Sequence, residues 1–322
     1  MRHGTYDCID AGTENCPCYL ALTGDCLLCS RLQGKDCCDC SWKGVCIYNE
    51  FRQSGERVNH PRMEFPAQIM SKKQYRDDLT VFIVKVGTGF ALKASQAGSC
   101  VFLRAPEMPE FYNFPISVIK ADPDRGEIHL AIRRWAAKTK CLWEETSNLI
   151  IKGVYRNGIL GLQRLRKKRH SGKKTLILAR GIGFAPAVLL ADECLKGSSV
   201  DLFLDLNKIG RSLVETYLPI QENEQGKFGW KGGNVHFLSF EEEAVWTAIK
   251  NEAASGRTYD KIAVLTSDYY QESMRETEKT AASGIVFAYA NNHRLCCGEG
   301  VCGACTVMGE NGEVLRLCKC QM

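Results

Sequence analysis

Near its C-terminus the chain reads Cys297-Gly-Glu-Gly-Val-Cys302-Gly-Ala-Cys305, and Cys318-Lys-Cys320 follows. Three thiols at C-x4-C-x2-C spacing, closed by a distal cysteine, match the plant-type [2Fe–2S] loop. Such a loop constrains the whole segment. It must turn tightly around two irons and bring backbone N–H groups close to sulfur. Gly298, Gly300 and Gly303 permit both. The expected ligands are Cys297, Cys302, Cys305 and Cys318, with Cys320 able to replace the last. A zinc site and unligated thiols are the alternatives. Zinc knuckles usually come as paired C-x2-C units, which this run is not.

The cysteines are unevenly spread. Of 18 in 322 residues, nine fall within residues 8–46, three lie in the middle (Cys100, Cys141, Cys194) and six crowd residues 296–322. That pattern predicts a cysteine-rich head (1–50), a conventional body and a cysteine-rich tail. No apolar h-region opens the chain and no run of 18 apolar residues occurs. A cytoplasmic protein without a membrane span is therefore expected. Thiols there stay reduced, so metal ligation explains the cysteines better than disulfides. A net charge of +5 with no aromatic residues interleaved among the basic ones gives no reason to expect nucleic-acid binding.

In the body, the β-branched stretches Leu79–Val86, Ser99–Arg104, Phe114–Lys120, Gly126–Arg133 and Asn148–Lys152 predict short strands. Asp122-Pro-Asp-Arg-Gly126 reads as a hairpin turn between two of them. Close spacing implies a small antiparallel β-barrel over 62–160. The pattern changes at Lys174–Ala179, a wholly apolar strand. A helix over Ala187–Lys196 and strands Val200–Asp205, Asn234–Leu238 and Lys261–Thr266 alternate after it, with a helix over 241–254. This predicts a doubly wound α/β domain over 172–285, ahead of a cluster-binding segment over 286–322. Gly181-Ile-Gly183 sits where the first of these strands gives way to a helix. Glycine there lets a phosphate approach the backbone at a helix N-terminus, although the third glycine of the dinucleotide fingerprint is missing. A tight turn without a ligand is the alternative.

Barrel, α/β domain with Gly181-Ile-Gly-Phe-Ala185-Pro186, and terminal cysteine run together resemble the electron-transfer subunits of dihydroorotate dehydrogenase, a branch of the ferredoxin–NADP reductase superfamily. The resemblance covers roughly residues 62–320. It implies FAD in the barrel, NAD(P)H at the second domain, and a [2Fe–2S] cluster passing electrons to a partner oxidoreductase subunit or ferredoxin-like protein. Residues implied to bind flavin or nucleotide are Pro115, Ile116, Ser117, Thr139, Gly181, Gly183, Ala185 and Pro186. The chain departs from the family pattern in places. Phe114-Pro-Ile-Ser117 keeps only the serine of Arg-x-Tyr/Phe-Ser. Leu265-Thr-Ser-Asp-Tyr-Tyr270 stands where relatives carry Cys-Gly-Pro. Tyr155-Arg-Asn-Gly158 resembles the segment joining the two lobes.

The head is not part of that resemblance. Cys8, Cys16, Cys18, Cys26, Cys29, Cys38, Cys40 and Cys46, with Cys37 left over, can fill two four-thiolate sites. Iron–sulfur clusters, zinc or redox-active thiols are the options. Few apolar residues lie between these cysteines, so metal binding would supply the folding energy. The basic run Arg164–His170 reads as a solvated loop, with an acidic docking partner or a 2′-phosphate as sharper options. Trp135, Trp143 and Trp246 read as packed, and His293 as a surface histidine. An oxidoreductase subunit is expected. The alternative is a non-catalytic iron–sulfur scaffold or redox-sensing module.

Overall fold

The computed structural model describes residues 7–168, 172–223, 226, 228–231, 233–293, 295–309, 312 and 314–321. Six antiparallel strands close a barrel in the order Glu64–Arg76, Leu79–Lys85, Glu127–Arg133, Phe114–Asp122, Cys100–Arg104 and Asn148–Tyr155. Alternation along the strands decides what each face buries. Phe82, Val84, Ile128 and Leu130 fill the barrel, while Leu79, Val81 and Ala131 point outward into a core shared with the α/β unit. The five expected strands are all present. The sixth, Glu64–Arg76, escapes a hydrophobicity reading because Lys72, Lys73 and Arg76 lie on its exposed half.

The second unit is an eight-stranded sheet. Its parallel strands run in the order Gly233–Phe237, Val200–Asp205, Lys174–Arg180, Tyr259–Leu265 and Val286–Ala290. Leu176 and Leu178 face one core and Ile177 and Ala179 the other, which is why this strand is apolar throughout. Strand order reverses beside Lys174–Arg180, and ligands bind such sheets at that switch point, beyond the carboxyl ends of the strands. Gly181–Gly183 forms one 3-10 turn there and leads straight into the helix Phe184–Cys194. That helix starts three residues before the expected Ala187. Pro186 lies in its first turn, where a missing N–H costs nothing. The helix Asp268–Thr280 was not expected, since only one strip of it is buried (Tyr270, Gln271, Met274).

Two expectations are corrected. Trp135 is 78% exposed rather than packed. The basic run is not simply a solvated loop. Leu162–Lys167 is helical, Arg166 chelates Glu193 at 2.6 and 2.8 Å, and Lys168 donates to the Gly284 carbonyl. Arg169 and His170 lie outside the described residues, as does the N-terminal stretch 1–6. All 18 cysteines are free thiols. Among the described residues no helix is long and apolar enough to cross a membrane.

Head and tail meet. Asp7–Cys8 pairs antiparallel with Cys320–Gln321, Cys8 standing opposite Cys320, and the Ile9 N–H donates to the Lys319 carbonyl at 2.8 Å. The head has a small apolar cluster of Cys16, Ala21, Cys29, Leu32, Ile47 and Phe51, two of them cysteines.

Candidate functional site

A cleft of about 640 Å3 opens between barrel and α/β unit, within the size range of small-molecule and cofactor sites. All eight residues expected at a flavin or nucleotide site line it. Pro115, Ile116 and Ser117 come from a barrel strand and Thr139 from the helix Ala137–Trp143. Gly181, Gly183, Ala185 and Pro186 come from the turn and helix at the switch point. Gly183 is required by close approach, since a Cβ there would stand 1.9 Å from the Leu265 carbonyl oxygen. The Thr139 hydroxyl accepts the Ala136 and Trp135 N–H groups at 3.1 and 3.3 Å. It thereby caps its helix and holds Trp135 at the cleft, where the exposed indole offers a stacking face.

Three cations line the cleft, each with protein partners. Arg133 binds Asp78 at 2.5 Å, and that hydrogen bond holds the Asp78 carboxyl below its ordinary range. Arg180 binds Asp205 at 3.0 Å and also Glu241. Lys138 donates to the carbonyls of Phe111 and Asn113. The flavin fit therefore rests on volume, apolar walls and backbone approach more than on a free cation.

Residues missed in the sequence connect this cleft to the tail. Asn291, on the cleft wall, donates to the Asn157 and Leu317 carbonyls at 2.8 and 3.1 Å. Buried Asn157 donates to the Cys318 carbonyl at 3.1 Å. Asn157 lies in the linking segment already noted; Asn291 carries no sequence signal of its own.

In the tail, Cys305 and Cys318 are buried, Cys297 is half-buried and Cys302 is exposed. Backbone donors reach two of these sulfurs: Cys318 N–H to Cys305 Sγ at 3.4 Å, and Glu299 N–H to Cys297 Sγ at 3.3 Å. A hydrogen bond from the Cys318 thiol pulls Cys305 down to about 6, against its burial. Gly298 presses on Tyr155, whose ring would lie 2.5 Å from an added Cβ. Among the described residues, no three Cys, His, Asp or Glu side chains form a group able to hold a metal ion. N–H donors to sulfur are a feature that iron–sulfur loops share, since hydrogen bonds to sulfur tune the iron.

Beside these thiols lies a buried charge quartet. Lys319 binds Asp10 at 2.6 Å and Glu299 at 2.8 Å, and Arg62 binds the same two carboxylates at 2.6 and 3.3 Å. Tyr155 donates to Glu299 at 3.0 Å, and the Arg62 guanidinium lies 4.5 Å from the Tyr155 ring centre. Burial opposes ionising Asp10, but Lys319 and Arg62 outweigh it and hold the carboxyl below its ordinary range. Head (Asp10), linker (Arg62) and tail (Glu299, Lys319) are thus locked together.

The head cysteines divide. Cys8, Cys16, Cys18 and Cys26 line one small pocket. Cys29 packs in the head's apolar cluster, and exposed Cys46 precedes the helix Ile47–Gln53. Cys38 and Cys40 place their sulfurs 3.8 Å apart, and Cys37 is exposed.

No family model and no curated protein matches the chain. Solved structures do. One is the NADH-dependent reduced ferredoxin–NADP oxidoreductase studied for flavin-based electron bifurcation (TM-score 0.59, 16% identity, 78% of this chain and 85% of that one). Another is phthalate dioxygenase reductase, described as a modular structure for electron transfer from pyridine nucleotides to [2Fe–2S] (TM-score 0.50, 12% identity, 80% and 95%). A third is an intact type IV self-sufficient cytochrome P450 monooxygenase (TM-score 0.51, 13% identity, 84% and 43%). At these identities the likeness is one of fold. The closed barrel followed by an α/β nucleotide-binding unit is the ferredoxin–NADP reductase-like fold, and this chain has it.

Proposed function

We propose that this chain is an electron-transfer oxidoreductase subunit. It would use FAD in the cleft, NAD(P)H as donor, and a [2Fe–2S] cluster on Cys297, Cys302, Cys305 and Cys318. When bound, the flavin supplies exchange between two-electron and one-electron chemistry, and the cluster supplies single-electron transfer. The observation that carries this reading is the join between the two sites. The cleft wall at Asn291 hydrogen-bonds the Leu317 carbonyl, one residue from Cys318.

The chain's own residues would do the positioning. Trp135 offers a stacking face, and Gly181 and Gly183 let a phosphate near the start of Phe184–Cys194. Asn157 and Asn291 fix the Cys318 segment against the cleft. Exposed Cys302, next to exposed Val301, would face a partner oxidoreductase subunit or ferredoxin-like protein. The cysteine run resembles that of the dihydroorotate dehydrogenase electron-transfer subunits.

Anaerobic purification tests the proposal. Bound FAD that bleaches on adding NADH or NADPH supports it. A second reading, an iron–sulfur scaffold or redox sensor, is favoured by the prior commitment of Arg133, Lys138 and Arg180 to protein partners. A preparation with iron but no flavin would select it.

A further inference from the structure

We propose that Cys38 and Cys40 form a redox-active dithiol in the head. The pair closes to a disulfide by exchange with a low-molecular-weight disulfide and reopens with thiol. It stands apart from the cleft and the tail thiols and does not depend on the function proposed for them.

The two Sγ atoms stand 3.8 Å apart, close enough for one thiol to donate to the other. A disulfide bond measures ~2.05 Å, so the sulfurs have about 1.8 Å left to close. Both are free thiols. Among the described residues, no third Cys, His, Asp or Glu joins them in a group able to hold a metal ion. Two thiols in contact, without a third ligand, are arranged for joining to each other.

Neighbouring residues hold the loop that carries the pair. Ser30, buried in the 3-10 helix Ser30–Gln33, accepts the Asp39 N–H at 3.0 Å and donates to the Cys37 carbonyl at 3.3 Å. Arg31 donates to the carbonyls of Lys35 and Asp36, and Lys35 binds the Asp39 carboxylate at 3.0 Å. Asp39, the residue between the two cysteines, is thus held by both its backbone and its side chain. Fixing it in advance removes part of the conformational entropy that ring closure must overcome.

Exposure divides the roles. Cys38 is exposed and Cys40 is half-buried. The Cys38 thiolate attacks one sulfur of the small disulfide. That S–S bond breaks, and the leaving thiolate takes up the proton that Cys38 gave to water. Cys40 then attacks Cys38 Sγ and displaces the second small thiol in the same way. Two cysteine thiols are oxidised, and one disulfide is reduced to two thiols. A ring closed across a single residue is strained, and strained or exposed disulfides are the readily reduced ones. The pair therefore cycles rather than acting as a permanent staple.

The oxygen-free full chain is equilibrated with glutathione mixtures of graded ratio, quenched in acid and alkylated. The tryptic peptide 36–43, which carries Cys37, Cys38 and Cys40, is read by mass spectrometry. A disulfide between Cys38 and Cys40 should form with Cys37 still alkylated, and should disappear on adding dithiothreitol. Cys37→Ser should behave as wild type, and Cys40→Ser should stop at a glutathione adduct on Cys38. In urea the pairing constant should fall about 5- to 30-fold, the effect of one residue's backbone fixed in advance. Thiols that stay alkylated at every ratio overturn the proposal, as does pairing through Cys37. Pairing that is equally strong in urea overturns it too, and so does zinc or iron that blocks alkylation of these thiols until a chelator is added.

Discussion

Replacing Lys319 with Met tests the lock between head and tail. The quartet holds two cations and two carboxylates, all almost fully buried. Removing the ammonium leaves Asp10 and Glu299 to share Arg62, with one uncompensated negative charge. At an effective dielectric of about 20, contacts of 2.6 and 2.8 Å are each worth ~6 kcal/mol gross. Much of that is offset, because the wild-type fold must desolvate the ammonium. Removing one partner of a buried pair typically costs about 3–5 kcal/mol net. The loss falls on one local unit, so native-state amide exchange is the assay. At about 1.4 kcal/mol per decade, exchange at Ile9, whose N–H is held by the Lys319 carbonyl, should speed up by roughly two to nearly four decades. Amides of Leu176–Ala179 in the α/β sheet should not change. Adding Asp10→Asn leaves a balanced Arg62–Glu299 pair and should recover part of the loss. Unchanged exchange at Ile9 in Lys319→Met would refute the reasoning, because the quartet would then contribute nothing to the junction.

Gly298→Ala should loosen the tail loop. Its Cβ would meet the Tyr155 ring at 2.5 Å, at a φ of +70°. Overpacking of about 1–3 kcal/mol adds to a left-handed backbone cost of about 1–2 kcal/mol. Gly312→Ala, at φ +79° with nothing within 4 Å, carries only the second cost, and exchange of tail amides compares the two. Trp135→Ala should weaken FAD binding about 5- to 30-fold, for a stacking contribution of about 1–2 kcal/mol; fluorescence titration reads it, and unchanged affinity removes Trp135 from the site. The head–tail junction should fail in acid. The Asp10 carboxyl titrates lower folded than unfolded. Its contribution is therefore complete above the unfolded value near pH 4 and is lost as pH falls through the folded value. Limited proteolysis of the head across pH 6 to 3 should show cleavage rising only below about 4.

Most of the fold was legible because it depends on local patterns. The five expected barrel strands and the apolar strand before Gly181 carry their burial in residue type. Glu64–Arg76 and Asp268–Thr280 did not show, since each keeps one face wet and so mixes charge with apolar residues. On the α/β side of the cleft, Gly181 and Gly183 were legible because glycine at a strand-to-helix turn has a backbone cause; the barrel side, Pro115–Ser117 and Thr139, was expected only from the family resemblance. Trp135 was misread because tryptophan is usually packed, and only the three-dimensional setting reveals an exposed ring beside a cleft. The charge quartet was illegible, since Asp10, Arg62, Glu299 and Lys319 lie in three separate regions of the chain and their pairing arises from folding. The same holds for the division of the head thiols, which spacing alone left open.

One measurement bears most directly on the cleft and the tail as a single electron path. NADH or NADPH is added without oxygen to the purified chain, and flavin absorbance and low-temperature EPR are followed together. The account predicts flavin bleaching followed by a [2Fe–2S] signal that disappears in Cys305→Ser. A flavin that bleaches while the tail thiols yield no such signal, or a chain that binds no flavin, would contradict it.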